Sequence, residues 1–501
     1  MLRSLLLASV ALAPLALASQ PAFASCSPSK PDNGDTVTCT GTDTKGVDRK
    51  DVNNVTVTVA SGATVTNASG TGNHVFRFND GADFTISGTA ESFSDKDALN
   101  LVDDPMVALI GGTLKSAKGD GVQAESGLTL TLDEASSITA GKKGVNAEGE
   151  NNGYVLNSGT ITAGTKGVDL GDTSVVENFG TITAGTKAID IGDDAIVRNY
   201  GTITAGTEGI ELDDYGIVEN HGTISALDDA INAGEYVTIT NYGTLHSQSD
   251  TLGIDFVQDA IDLDSGTITN YGTILSDDDA AIDFDATKDL TTASVITNSG
   301  TIKGAAGIIV ETGYDDAGNL NGEEGNLGIQ HVVNLDGGVI EATSGPALKL
   351  GAGDDFYSGA RGSVLIGVTD LGLGDDVFSV STGATVIGDV FLGAGDDLLE
   401  ITDTGAGSFG LFDGGLGDDV VSFVDYASTD LVGLGWLESV LSLSFLDGFS
   451  LSLTNFETVS FSDATFAIAD LRLPSVPVPA PALLLISALG GFGLVRRLRR
   501  R

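Results

Sequence analysis

Basic residues are scarce: 24 Lys and Arg stand against 70 Asp and Glu, a formal charge of −46 over 501 residues. A long-range field of that sign repels nucleic acid and anionic membrane surfaces, so no nucleic-acid partner is expected, whereas cations, basic partners and hydrated polysaccharide are compatible with it. Cysteine is almost absent. Cys26 and Cys39 are the whole complement, and an even pair at the start of an exported chain reads as a disulfide worth roughly 3 kcal/mol. The four histidines, His74, His221, His246 and His331, are dispersed, and no serine nucleophile motif accompanies them. Zinc and covalent chemistry therefore lack support. Long apolar runs are missing from the repeats, whose patches are three to five residues long, β-branched and separated by Gly, Thr, Asn and Asp. That pattern opposes helix, and its regular Val, Ile and Leu oppose disorder.

What is abundant is repetition. The segment VLNSGTITAGTKGVDLGDTS returns as VVENFGTITAGTKAIDIGDDA, IVRNYGTITAGTEGIELDDYG and IVENHGTISALDDAINAGEY, and its asparagine falls at Asn157, Asn178, Asn199, Asn220 and Asn241, a constant step. Three short apolar patches recur in each unit, for example Val176, Ile182 and the pair Ile189/Ile191. Residues two apart share a face of a strand, so the acid between such a pair points outward. Three strands per repeat, stacked on copies of themselves, predict an all-β fold: a right-handed parallel β-helix (solenoid) of about 21-residue coils, each adding about 4.8 Å. Stacking would align the asparagines into a structural ladder of amide bonds. The next column, Ser158, Phe179, Tyr200, His221 and Tyr242, would become a ring stack worth about 0.5–1.5 kcal/mol per contact.

In chain order, residues 1–24 read as a secretory signal peptide: Arg3, an apolar run, then Ala22-Phe23-Ala24 before the cleavage point. Residues 25–54 form a disulfide-stapled N-terminal cap, and 55–350 a β-helix with N-x-G-T-I repeats, worn at first and later stretched by insertions. The longest insertion, Thr312 to Gln330, is expected outside the stack. Residues 351–426 are β-helix coils with G-x-G-D-D turns, which open at Gly351, Gly372, Gly393 and Gly415, so the coil length is nearly unchanged. Residues 427–470, with the single Trp436, read as a C-terminal cap. Residues 471–501 are a linker and tail, in which Ala480–Val495 is expected to form a short transmembrane helix of about 24 Å.

The tail carries a resemblance. Val476, Pro477, Val478, Pro479 and Ala480, followed by an apolar segment and an arginine cluster, resemble C-terminal sorting tails of the PEP-CTERM type in their VPLPA-like variant, with VPVPA here. The resemblance implies a Gram-negative bacterium, export machinery and a C-terminal sorting protease as partners, and residence at the cell surface, outer membrane or extracellular matrix, with a transient or permanent membrane anchor through the tail.

The G-x-G-D-D turns bring Asp354 and Asp355, Asp375 and Asp376, Asp396 and Asp397, and Asp418 and Asp419 into one file. They resemble the calcium-binding nonapeptide of the RTX family, which implies Ca2+ as the ligand. That family sets two nonapeptides back to back in each coil, whereas here each coil carries one. Carboxylates stacked at about 4.8 Å repel by roughly 3.5 kcal/mol at an effective dielectric of about 20, so a cation would relieve them, and a solvated, salt-screened turn is the other reading. A second acidic column, Asp169, Asp190 and Glu211, lies beside Lys166 and Lys187, with Glu208 in place of a third lysine. Such columns raise a polysaccharide lyase or glycoside hydrolase of β-helix type as the alternative, but repetition singles out no carboxylate pair. The expectation is a non-enzymatic cell-surface or matrix protein, structural or adhesive, with calcium, extracellular polysaccharide or neighbouring surface proteins as partners, no catalytic residue and no organic cofactor.

Overall fold

The computed structural model describes residues 25–67, 72–149, 152–249, 259–285, 291–310 and 328–472. The signal segment 1–24, most of the insertion from Thr312 and the tail with Val476, Pro477, Val478, Pro479 and Ala480 lie outside the described residues.

Each central coil contributes one strand to each of three walls, as in Tyr154–Asn157, Thr160–Ala163 and Val168–Leu170. Inward residues alternate with outward ones, because a Val-x-Asn or Ile-x-Ala pattern buries every second side chain. The next coil repeats the placement in parallel register: Asn157 faces Asn178, Ile161 faces Ile182, and Asp169 faces Asp190. The chain is thus a right-handed parallel β-helix. Among the described residues the first wall holds eighteen parallel strands, from Thr36–Thr40 to Thr458–Phe461, with one antiparallel strand added at each end. Stacked strands of that number span roughly 80 Å. From Asn178 to Asn199 the step is 21 residues, the value of the central coils. Earlier coils are longer, with 24 from Thr113 to Ser137 and 23 from Gln123 to Asn146.

The interior is one continuous column. Ile161, Ile182, Ile203 and Ile224 are fully buried above one another, as are Val155, Val176, Val197 and Val218. A methylene removed there leaves a gap that neighbouring coils cannot close, so Ile→Ala costs about 2–5 kcal/mol. The turn between first and second walls needs glycine. A Cβ on Gly180 or Gly201 would land on the carbonyl oxygen of the glycine one coil earlier.

Beyond Asn334 the interior becomes aromatic, with Tyr357, Phe378, Phe412 and Phe423 fully buried, and Gly359 takes the register position of the asparagines. At the C-terminal end the strands Leu431–Leu437, Val440–Phe445 and Phe449–Thr454 run antiparallel, and the last of them pairs with Gly407–Leu416. Trp436 is only half-buried, with the Arg472 guanidinium 4.3 Å from its ring centre. At the other end Ser25–Ser27 pairs antiparallel with Thr36–Thr40, and Cys26 and Cys39 are register partners joined by a disulfide.

One expectation is corrected. Among the described residues no helix is long and apolar enough to cross a membrane; the two helices, Ser428–Asp430 and Ile468–Leu471, are single 3-10 turns. The transmembrane helix expected over Ala480–Val495 lies outside the described residues, and its sixteen residues fall short of the roughly 30 Å hydrocarbon core.

Candidate functional site

Three polar files run along the helix axis, and each is made by one repeat position. The asparagine file closes the first wall. Asn157 Nδ2 donates to Asn178 Oδ1 at 2.8 Å, and the same bond continues through Asn199, Asn220, Asn241, Asn270 and Asn298 to Asn334 at 2.8–3.0 Å. All eight are completely buried. A second amide hydrogen reaches a backbone carbonyl one coil on, as from Asn199 to the Thr223 oxygen at 3.3 Å, so the buried amides are well satisfied. One residue later Phe179, Tyr200, His221, Tyr242 and Tyr271 stack with centroids 4.5–4.9 Å apart and planes within 9°. The sequence column ended at Tyr242; Tyr271 extends it.

The second file is the G-x-G-D-D turn, and it separates the two aspartates of each pair. Asp355, Asp376, Asp397 and Asp419 are buried, whereas Asp354, Asp375, Asp396 and Asp418 are exposed. The buried carboxylates reach backwards: Asp376 Oδ1 accepts the Asp355 N–H at 2.7 Å, Asp397 Oδ1 that of Asp376 at 2.8 Å, and Asp419 Oδ1 that of Asp397 at 3.0 Å. The exposed ones reach forwards, with Asp354 Oδ1 accepting from Asp375, Asp375 Oδ1 from Asp396, and Asp396 Oδ1 from Asp418 at 2.8–2.9 Å. Each Asp-Asp pair therefore ties its coil to both neighbours. Burial, reinforced by neighbouring carboxylates and opposed by the backbone bond, pushes Asp355 up to about 9, Asp376 to about 8 and Asp397 to about 6. Asp419 is raised as well.

One oxygen of each buried aspartate is spent on a backbone N–H. The other oxygens of Asp376, Asp397 and Asp419 are buried without a hydrogen-bond partner. Among the described residues no three His, Cys, Asp or Glu side chains converge as a metal ion requires. Calcium coordination takes six to eight oxygens.

The third file, on the third wall, is a double column. Its first member in successive coils is His74, Asp97, Asp120, Lys143, Lys166, Lys187, Glu208, Asp229 and Asp259. Its partner, three residues later, includes Asn146, Asp169, Asp190, Glu211 and Asn232. Where lysine is present the column is an ion-pair ladder: Lys143 meets Asp169, Lys166 meets Asp169 at 3.3 Å and Asp190, and Lys187 meets Glu211 and Glu208, the last at 3.8 Å. Burial disfavours charge on Lys143 and Lys166, but their carboxylate partners outweigh it and raise both above the usual lysine range, whereas at Asp169 burial wins over both lysines and raises the carboxyl. From Glu208 onward the lysines stop and acid faces acid. Burial first, and neighbouring carboxylates second, lift Asp228 to about 6, Asp229 to about 8 and Asp259 to about 10. Asp259 still donates its N–H to Asp229 Oδ1 at 3.0 Å.

The sequence reading placed Asp169, Asp190 and Glu211 in one column, and the register agrees. It missed the extension to Asp229 and Asp259, which mixes His, Asp, Lys and Glu and shows no identity to align. The histidines are not brought together: His74 meets Asp97 at 3.2 Å, His246 meets Asp277 at 3.1 Å, and His331 packs edge-on against Phe356. A shallow cavity at the C-terminal end lies between Trp436, Leu453 and Arg472.

Fold and files together define the class, a parallel β-helix scaffold whose repeated polar residues bond coil to coil. Compared with known protein families, with curated proteins and with solved structures, the chain matches none.

Proposed function

We propose that this chain is a non-enzymatic structural or adhesive rod, exported and sorted through its VPVPA tail to the cell surface or matrix of a Gram-negative bacterium. There it holds extracellular polysaccharide or neighbouring surface proteins along its lateral faces. One observation carries the reading. The asparagine file, both aspartate files and the lysine ladder each bond one coil to a neighbouring coil, so these files build length. The composition supports the partner class, since a rod of charge −46 suits a hydrated matrix bridged by cations. Calcium enters this proposal at the exposed file Asp354, Asp375, Asp396 and Asp418, where it would screen one rod from the next.

A second reading has its own support. Asp229 and Asp259, protonated near neutral pH, stand in one column with Glu208, with Asp228 beside them, and a raised acid beside other carboxylates is the pairing a glycoside hydrolase uses. One experiment separates the two. The full chain is incubated with matrix polysaccharide, with calcium or chelator, and both co-sedimentation and new reducing or unsaturated ends are measured. Co-sedimentation without new ends supports the rod. New ends that vanish in Asp229→Asn support the hydrolase and overturn the first reading.

A further inference from the structure

The second wall carries an uncharged lattice on a strongly acidic rod. In the successive strands Thr160–Ala163, Thr181–Ala184 and Thr202–Ala205 the inward residues are Ile and Ala, and both outward residues are threonine: Thr160 and Thr162, Thr181 and Thr183, Thr202 and Thr204. Like faces like in parallel register, and all six are partly or fully exposed. The strands on either side, Ser137–Ala140 and Thr223–Ala226, keep Ser or Thr at both outward positions. Five consecutive coils thus present two hydroxyl side chains each and no charge. One coil further out in each direction the pattern breaks, at Lys115 and at His246.

β-propensity accounts for threonine in place of alanine on a strand. It does not account for the exclusion of Asp, Glu, Lys and Arg from every outward position of these five strands in a chain that is 19% charged. The charges of the same coils lie elsewhere: Arg198 meets Glu177 at 3.2 Å on the first wall, Lys166 meets Asp169 and Asp190 at the third, and Asp172, Asp193, Asp194, Asp213 and Asp214 sit in the turns that follow the third wall. The lattice is also held rigidly. Buried isoleucines lie beneath it, and the asparagine bonds and the ring stack run along its edge, the rings repeating every 4.5–4.9 Å.

We propose that this threonine face binds ice. Its hydroxyls repeat about every 4.8 Å from strand to strand and about every 6.8 Å along a strand, a rectangular net close to that of the oxygens on a prism face of hexagonal ice. The methyl groups between them hold water in place without competing for its hydrogen bonds, so water ordered on the face joins the growing crystal. A face already fixed by the fold loses little freedom on binding. A sugar platform is the competing use of a regular sheet, and the neighbouring rings argue against it: they lie face to face, so each covers the surface a sugar ring would stack on.

The test freezes a solution of the full chain slowly around a cold probe, measures protein taken into the ice, and records crystal shape and thermal hysteresis. Two variants accompany it: Thr183→Lys combined with Thr202→Lys, and Ile217→Lys at an exposed position of the first wall. Both change outward side chains, and an unchanged melting transition establishes that each is folded. The expected result is uptake into ice with faceted crystals for the native chain and Ile217→Lys, and exclusion of the double variant. Exclusion of the native chain, equal uptake of all three, or retention on crystalline cellulose without ice uptake overturns the proposal. None of these outcomes depends on whether the rod is enzymatic or where it is displayed.

Discussion

Asp376 Oδ1 accepts the backbone N–H of Asp355, one coil earlier, at 2.7 Å, and the carboxylate that makes this bond is almost wholly buried. The bond ties two coils of the C-terminal section together, and burial makes its strength depend on pH. The folded values of Asp355, Asp376 and Asp397 are raised to about 9, 8 and 6. A group raised in the folded state favours folding fully below its unfolded value, near pH 4, and loses that contribution as pH climbs through the folded value. Ionisation is opposed further by the acids facing this file, Asp354, Asp375, Asp396, Asp413 and Glu457. The melting temperature should therefore fall steadily from pH 5 to pH 9. The variant Asp376→Asn keeps an oxygen for the Asp355 N–H and cannot ionise, so its fall should be shallower. Differential scanning calorimetry across that range checks both, and a melting temperature that rises with pH would contradict the assignment.

Asn199 stands in mid-ladder, accepting from Asn178 and donating to Asn220. Replacing it with Ala removes both bonds and leaves Asn178 Nδ2 only its longer contacts to the Gly180 and Thr202 oxygens and Asn220 Oδ1 only the Gly222 N–H, a loss of about 2 kcal/mol. Urea unfolding should show the midpoint moving down by that equivalent.

Tyr200 is exposed but lies between Phe179 at 4.7 Å and His221 at 4.9 Å. Tyr200→Ala should cost about 1–2 kcal/mol through the two ring contacts, and Tyr200→Phe almost nothing. Comparable losses in the two variants would show that the hydroxyl, and not the stack, matters.

Lys166 serves two acids, Asp169 and Asp190, and Asp169 is almost fully buried. Lys166→Ala leaves Asp169 with Lys143 alone and should destabilise by about 1.5 kcal/mol, because Lys143 still pairs that carboxylate. Because Asp169 itself is shielded from solvent, salt at about 0.5 M should change that loss less than it changes the exposed pair Arg361–Asp403.

Much of this architecture was legible because the coils are identical where it matters. Asn157 to Asn241 recur at one interval, so the ladder and most of the ring stack followed from the spacing. The 29-residue interval from Asn241 to Asn270 was itself visible, since NYGTI returns there, but the ring column was closed at the last evenly spaced coil and so stopped short of Tyr271. Asn334 escaped because it sits in NLDGG, where the flanking motif has changed. The third-wall column was hidden for a different reason: one position filled in turn by His, Asp, Lys and Glu has no identity to align, although its geometry is constant. The two aspartates of G-x-G-D-D were read as a common ligand set, yet adjacent residues on an extended backbone face opposite ways, one in and one out. The burial of a carboxylate beside a backbone N–H one coil away is a tertiary fact that composition does not announce.

The central claim is that successive coils lie directly over one another, and side chains in register can be linked covalently to test it. Thr183 and Thr204 are outward register partners in adjacent coils, whereas Thr183 and Ser225 are two coils apart. Cysteines one strand spacing apart, about 4.8 Å, can form a disulfide; those at twice that distance cannot. Mass spectrometry after mild oxidation should find a closed bridge in Thr183→Cys with Thr204→Cys and free thiols in Thr183→Cys with Ser225→Cys. A bridge in the second pair, or none in the first, would contradict the stacked helix from which every other statement follows.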